Sequence, residues 1–161
     1  SWGSFRPEEN KQLLPNVEPR PSATAMQGDF LISRANTSEL VAKAVVVEEE
    51  PKNLLLSDKI VRLHFPECVS KHFVALTNNN ATHIREHYVT KASGTSPSMK
   101  NVSRDVIFDA LIPLPPLAEQ KRIVAKVDEL MALCDQLETQ LTTTQTENQQ
   151  LLEACIEGVV A

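Results

Sequence analysis

The stretch IVAKVDELMALCDQLETQL, residues 123–141, decides the fold of this chain. Steps of four and three residues alternate between its apolar positions, which are Ile123, Val127, Leu130, Cys134, Leu137 and Leu141. This spacing places the side chains along one face of an α-helix and is typical of a coiled coil. The same steps continue through two polar residues, Thr144 and Asn148, to Leu151. We call the six apolar positions together with Leu151 the seam, and we predict that it packs against a partner helix.

The predicted helix runs from Ala118 to Val160, because Pro116 suits a first helical turn and the spacing persists to Gly158. Such a helix is about 64 Å long at a rise of 1.5 Å per residue. The part of the chain before it is too small to bury that length. Residues 113–161 carry three basic and eight acidic groups. DNA phosphates repel such a helix, which favours contact with other proteins.

The residues before this helix predict a small mixed α/β domain, because short β-branched runs alternate with helical spacing. Residues 1–28 are rich in proline and are expected to be extended, with Trp2 and Phe5 against the core. The predicted elements are strands at Phe30–Arg34, Lys43–Glu48 and Ser57–Phe65, a helical turn at Ser38–Ala42, helices within Ser70–Ala92 divided at Asn78–Asn80, and a short helix at Ser103–Asp109. The fold class is therefore α+β, with a domain at 1–112 and a coiled-coil helix at 113–161.

The composition excludes several classes of protein. The chain has 161 residues, of which 42% are hydrophobic and 23% charged, as in ordinary globular domains. No apolar run approaches the roughly 18 residues of a membrane span. Four glycines leave no glycine-rich phosphate loop. Three cysteines without a Cys-x-x-Cys pair indicate free thiols in a reducing cytoplasm. No leader is seen, and we expect Ser1 to be a cut inside a longer protein.

A basic region with many hydroxyl and amide groups is the candidate DNA-binding site. Residues 71–104 carry five basic groups and one acidic group, and the loop Ser93–Asn101 offers donors and acceptors for phosphates and base edges. From the residues alone an ordinary surface loop is the favoured interpretation, and DNA binding is preferred only together with a resemblance to a known family. Arg34 either contacts a phosphate or a base, or forms a salt bridge that holds the sheet. The candidate DNA-binding residues are Arg34, Lys91, Ser93, Thr95, Ser96, Ser98, Lys100 and Asn101.

Two short sequence patterns are similar to catalytic motifs, but neither leads us to predict catalysis. His83 and His87 match the His-x-x-Glu-His pattern of inverted zinc peptidases. A third ligand would have to come from the long helix, so we expect these histidines to face solvent or phosphate. Glu50-Pro51-Lys52 resembles a nuclease pattern, but Pro51 disrupts the strand that this pattern needs. We therefore predict no catalytic and no metal site, and we expect Cys134 to be a packing residue.

Four segments of the chain resemble the specificity subunits of type I restriction–modification enzymes. The most specific is Ile112-Pro113-Leu114-Pro115-Pro116-Leu117-Ala118-Glu119-Gln120-Lys121-Arg122-Ile123-Val124. The others, in the family's order, are GDFLISRANT at 28–37, LSDKIVRL at 56–63 and GTSPSMKNVS at 94–103. Together they cover about residues 28–130.

The resemblance implies a DNA-recognition role without chemistry. Such subunits carry two target-recognition domains, each followed by a long conserved helix, and the two helices pack antiparallel between two DNA half-sites. They position modification subunits, which methylate adenine with S-adenosylmethionine, and a restriction subunit that uses ATP and Mg²⁺. The implied partners are double-stranded DNA, these subunits and a second spacer helix, and the cofactors bind the other subunits. No membrane is implied, and the location is cytoplasmic.

This chain departs from the family plan because it holds one long helix and its recognition domain lacks expected N-terminal strands. It is thus expected to be a fragment or a half-length subunit, with an incomplete target-recognition domain at 1–112. One alternative is a coiled-coil module that assembles proteins without reading DNA. A zinc hydrolase is the third interpretation, which rests on His83 and His87 alone.

Overall fold

The structure, a computed structural model, describes residues 5–94, 96 and 99–160, the last six of these as backbone only. Its helices and strands confirm an α+β fold with a long C-terminal helix. The strands are β1 Phe30–Ser33, β2 Ala35–Asn36, β3 Ala44–Val46, β4 Ile60–Leu63 and β5 Lys100–Asn101. The helices are α1 Lys71–Asn80, α2 Thr82–Lys91, α3 Arg104–Phe108 and α4 Leu117–Val160, with a 3₁₀ turn at Pro21–Ala23.

Three strands form an antiparallel sheet in the order β3-β1-β4, with Ile32 opposite Ala44 on one side and Val61 on the other. The predicted alternation in β4 is confirmed, because Val61 belongs to the core while Leu63 and Phe65 pack against it. The Phe65 ring meets the Phe30 ring edge to face, with centroids 5.0 Å apart. The three strands of this sheet thus lie within the segments predicted as strands, and each contributes at least one residue to the core.

Helix α1 lies against the free edge of β3. Both backbone groups of Ala44 bond to the Asn79 side chain: its N–H donates to Oδ1 at 2.8 Å, and its carbonyl accepts from Nδ2 at 2.7 Å. Asn78 is buried, donates to the Ala42 carbonyl and accepts the Tyr88 hydroxyl proton, both at 2.8 Å. These bonds satisfy an edge that would otherwise be open for pairing with another chain.

The division between the first two helices differs from the prediction. Asn78–Asn80 lie inside α1, and the break falls at Ala81, whose backbone is extended. The prediction at Asn78–Asn80 was wrong because Asn78 and Asn79 direct their side chains to strand β3 and its flanking residues, which compensates for the low helix propensity of asparagine. Ser70 caps the N-terminus of α1, because its hydroxyl accepts a hydrogen bond from the Phe73 N–H.

The chain divides into two compact units, residues 1–121 and residues 122–161. The first turn of α4 therefore belongs to the α/β unit, where Gln120 is 1% exposed. The boundary predicted between 112 and 113 stays a prediction about domains. Trp2 lies outside the described residues, and Phe5 is half-buried.

Candidate nucleic-acid interface

A small ribbon brings separate parts of the candidate DNA-binding region together. Strands β2 and β5 pair antiparallel, with Ala35 opposite Asn101 and Asn36 opposite Lys100. Ser93 continues the ribbon, because its N–H donates to the Asn101 carbonyl at 2.8 Å and its carbonyl accepts from the Asn101 N–H at 2.9 Å. Three predicted site residues, Ser93, Lys100 and Asn101, are thus neighbours in the fold.

Arg34 connects this ribbon to the main sheet. Its N–H donates to the Lys59 carbonyl at 2.7 Å, and its own carbonyl accepts from the Val102 N–H at 2.9 Å. The Nε atom of Arg34 also donates to the Val102 carbonyl at 3.1 Å. Arg34 therefore joins the ribbon to the sheet through hydrogen bonds, not through the salt bridge that was the alternative, and its contact with DNA stays a prediction.

The loop between Ser93 and Lys100 is closed by a glycine and a lysine. Gly94 has a φ of +117°, and a Cβ there would collide with the carbonyl oxygen of Met99. The Lys100 ammonium donates to the Gly94 carbonyl at 2.6 Å. Only glycine suits this backbone, so the close approach of position 94 to the Met99 carbonyl depends on Gly94.

The remaining predicted loop residues differ in what the structure describes. Ser96 and Met99 are exposed, Met99 by 57%. Thr95 and Ser98 lie outside the described residues. Lys91, the last residue of α2, is exposed. The predicted set is therefore gathered around one ribbon as far as the structure describes it, and its contacts with bases stay predictions.

The basic residues of 71–104 do not form one surface. The Lys71 ammonium donates to the Gly28 carbonyl, at the start of α1. Arg85 is half-buried and donates to the Val41 and Glu39 carbonyls at 2.7 and 3.0 Å. Lys91 and Arg104 are exposed; Lys91 lies two residues before Ser93, and Arg104 lies three residues after Asn101. The net charge of this stretch therefore overstates the charge that the ribbon can present.

Lys59 is a basic residue that the sequence analysis missed. The Arg34–Lys59 hydrogen bond places it beside the ribbon, with its side chain 58% exposed and 3.6 Å from Asp58. Only strand register brings positions 34 and 59 together, so no local pattern could have revealed it. The ion pair between Lys59 and Asp58 lies at the surface and is therefore weak, so Asp58 competes only weakly with other anions for the Lys59 ammonium.

Burial shifts the pKa values of three groups, Arg85, Lys43 and Tyr88. Burial lowers the pKa of Arg85, which lies 5.6 Å from the centre of the Tyr88 ring. Burial, and then the nearby charge of Arg85, lowers the pKa of Lys43. Burial raises the pKa of the Tyr88 hydroxyl to about 12. The contacts of these groups are with carbonyls and side chains of the α/β unit, and they give no support for a role in ligand binding.

The two histidines contact the backbone of the α/β unit. The Nε2 atom of His83 lies 3.3 Å from the Leu111 carbonyl oxygen, and that of His87 lies 2.8 Å from the Val106 carbonyl oxygen. Among the described residues, no group of three potential metal ligands is found. Within the described part of the chain, His83 and His87 therefore have no third residue with which to bind a metal ion.

The seam residues of α4 are exposed to different degrees. Ile123 and Val127 are half-buried, whereas Leu130, Leu137, Leu141 and Leu151 are between 49% and 65% exposed. Cys134 is an exposed free thiol. An apolar row of this length on a single helix is typical of a partner surface. No helix among residues 5–94, 96 and 99–160 has the length and apolarity to cross a membrane.

Known proteins similar to this chain are specificity subunits. The chain is 29% identical over 157 residues, 97% of its length, to the type I restriction enzyme EcoEI specificity subunit of Escherichia coli, and covers 26% of that protein. It is 33% identical over 94 residues to the EcoAI specificity subunit, covering 15% of it. It is 44% identical over 50 residues to the EcoBI specificity subunit. No family model matches the chain.

The chain thus spans about a quarter or less of the curated relatives it matches. Several specificity subunits match, and one match covers nearly every residue, including the four segments on which the resemblance rests. That resemblance is confirmed: the chain is similar to the type I restriction enzyme specificity subunits and aligns with a part of each of them.

Proposed function

We propose that this chain recognises DNA sequence as part of a type I restriction–modification enzyme. The similarity to specificity subunits over 97% of the chain carries this proposal. The ribbon of β2 and β5 supplies a surface of suitable chemistry, since it combines lysine, serine and asparagine side chains. In this role the chain reads one part of a bipartite DNA target, acts in the cytoplasm and performs no chemistry itself.

Two kinds of contact with DNA follow from the chemistry of the ribbon. Lys91, Lys100 and Arg104 supply the phosphate contacts, which hold the protein on any duplex and weaken with salt. Ser93, Thr95 and Asn101 supply hydrogen bonds to base edges in the major groove. Sequence preference then depends on the second group, and general affinity on the first.

The helix α4 supplies the contact with other proteins. Its seam pairs with a second spacer helix, from the same protein or from another chain. The modification subunits, which carry S-adenosylmethionine, and the restriction subunit, which uses ATP and Mg²⁺, assemble on the paired helices. The exposed Leu130, Leu137 and Leu141 support this role, because an isolated helix leaves them in water.

The experiment compares lysine variants in the assembled complex across several salt concentrations. Lys91→Ala should weaken binding to all duplexes alike and reduce the slope of log affinity against log salt by about 1. Lys100→Ala should reduce the slope by a similar amount and lower the affinity further, because it also removes the hydrogen bond to the Gly94 carbonyl. Lys52→Ala is the matched control, because Lys52 is an exposed lysine outside the ribbon. Equal slopes for all three variants and the parent would mean that the ribbon faces away from DNA. A coiled-coil module without DNA recognition would bind no duplex preferentially in any of these samples.

A further inference from the structure

The segment Phe30–Asn36 changes its strand partner at Arg34. Before this residue β1 pairs with β4, and after it β2 pairs with β5. The backbone of Arg34 bonds to both partners, since its N–H donates to the Lys59 carbonyl and its carbonyl accepts from the Val102 N–H. Lys59, which directly precedes β4, therefore lies beside the end of β5.

The distance between Lys59 and the ribbon is short enough for one duplex to contact both. Neighbouring strands are about 4.8 Å apart, so the backbones of Lys59 and Val102, which both bond to Arg34, lie within roughly 10 Å of each other. Each strand of a duplex carries one phosphate per rise of about 3.4 Å, so this distance corresponds to about three phosphates. A duplex that contacts Asn101 thus has phosphates within reach of the Lys59 side chain.

A short turn fixes the backbone of Lys59. Its N–H donates to the Ser57 hydroxyl at 3.3 Å, and the Ile60 N–H donates to the Ser57 carbonyl at 3.1 Å. The Lys59 carbonyl accepts from the Arg34 N–H at 2.7 Å. Both backbone groups of Lys59 are therefore bonded, so a contact with DNA would restrict the side chain alone.

The ammonium group of Lys59 is not used by the fold. Lys43 and Lys100 donate to backbone carbonyls at 2.7 and 2.6 Å. Within the part of the chain that the structure describes, the Lys59 ammonium contacts the carboxylate of Asp58 alone, at 3.6 Å, which is longer than a hydrogen bond. The two side chains are 58% and 83% exposed. Water screens such a pair, so a phosphate oxygen can replace the carboxylate with little loss of free energy.

We propose that Lys59 contacts a phosphate of the DNA backbone beside the ribbon, and that Asp58 competes for its ammonium when DNA is absent. The ion pair opens on binding, and the phosphate takes the place of the Asp58 carboxylate. This inference rests on the proposed function, because the duplex is the one that the chain reads. It adds a contact from β4's side of the ribbon, outside the basic stretch 71–104.

A charge-balanced variant tests the contact in the assembled complex. Asp58→Asn combined with Lys59→Ala removes one charge of each sign, so the net charge of the chain is unchanged. We expect the slope of log affinity against log salt to fall by about 1, as for any lost phosphate contact. Glu49→Gln combined with Lys52→Ala is the matched control and should leave the slope unchanged. Both control residues are exposed, and their segment bonds to residues 25–27, before β1.

The single variant Asp58→Asn tests the competition. It releases the Lys59 ammonium, so the affinity for all duplexes should rise by about two- to fivefold, the range of a surface ion pair. The preferred DNA sequence should stay the same, because phosphate contacts carry no sequence information. Glu49→Gln removes the same charge away from the ribbon and should have a smaller effect. Urea titration checks that every variant remains folded.

Three results would overturn the proposal and leave the proposed function intact, provided that the parent binds DNA selectively. The first is an unchanged salt slope in the variant that lacks Asp58 and Lys59. The second is an equal fall of the slope in the control that lacks Glu49 and Lys52, which would indicate an effect of general charge. The third is a lower affinity for Asp58→Asn than for the parent. Absence of selective binding by the parent would instead overturn the proposed function, and this proposal with it.

Discussion

The backbone N–H of Ser70 donates a hydrogen bond of 2.8 Å to the Oε1 atom of Gln120. The Nε2 atom of the same glutamine donates to the carbonyls of Pro115 at 2.8 Å and Cys68 at 3.2 Å. Gln120 therefore joins three separate segments: the loop before α1, the proline-rich segment and the first turn of α4. A buried amide with three partners explains why the first turn of this helix belongs to the α/β unit.

Replacement of Gln120 should destabilise the α/β unit. Gln120→Ala leaves the Ser70 N–H and two carbonyls without this partner, which costs about 1–3 kcal/mol of the free energy of unfolding. Gln136→Ala is the control, because Gln136 is exposed on the same helix. The free energy of unfolding is measured by urea titration, with hydrogen exchange of the β1 amides as the probe. Equal midpoints for the two variants would show that the three bonds of Gln120 contribute nothing net.

High pH should destabilise the fold through Tyr88. The pKa of its hydroxyl is raised to about 12 in the folded chain, against 10.0 for an ordinary tyrosine. The folded state thus holds the proton more tightly, so the stability due to this group is complete below pH 10 and is lost as pH rises from 10 to 12. The full loss is roughly 2–3 kcal/mol.

Tyr88→Phe supplies the control for this pH dependence. The variant removes the ionisable hydroxyl and also the bond to Asn78, so it is less stable at pH 8 but has no tyrosine-linked loss between pH 10 and 12. Lys43 acts in the opposite sense, because a lowered pKa in the folded state makes deprotonation favour folding. Parallel stability curves for Tyr88→Phe and the parent above pH 10 would contradict the prediction.

Gly94→Ala should disrupt the ribbon loop and leave the core folded. The added methyl group collides with the Met99 carbonyl at a backbone angle that L-residues rarely adopt. Gly28→Ala is the matched control, because Gly28 also has a positive φ but its added Cβ would meet only the end of the Lys71 side chain, 3.9 Å away. Binding of DNA in the assembled complex should fall for Gly94→Ala and hold for Gly28→Ala. The opposite order would place the DNA-binding surface elsewhere.

The sequence predicted the elements whose periodicity is local. The seam follows from spacing within one helix, and β4 follows from Val61 and Leu63 on one face, which Phe65 continues beyond the end of the strand. The ribbon of β2 and β5 was missed because its strands have two residues each and pair across more than 60 positions. Asn79 was wrongly placed in a break between helices, because its side chain bonds to the backbone of Ala44, which lies on a strand distant in the sequence. Local pattern thus gave the elements, while long-range hydrogen bonds determined the site.

Charge introduced into the seam should separate α4 from its partner helix. Leu137→Asp places a carboxylate where Leu137 packs against the partner helix. Loss of a packed leucine alone lowers the stability of such a contact by about 2–5 kcal/mol. Thr139→Asp is the control, because Thr139 lies on the face of α4 away from the seam. Sedimentation should give a lower mass for Leu137→Asp only, with residues 29–112 still folded. An unchanged mass would mean that the seam has no partner.

Selection of duplexes from a random pool tests the proposed DNA recognition most directly. The chain, assembled with its partner helix and modification subunits, is mixed with random double-stranded DNA, and the retained duplexes are sequenced. The account predicts that one defined sequence is enriched, and that Asn101→Ala relaxes the preference at one base position, by about 1–3 kcal/mol. Retention of DNA without any enriched sequence, or no retention at all, would contradict it.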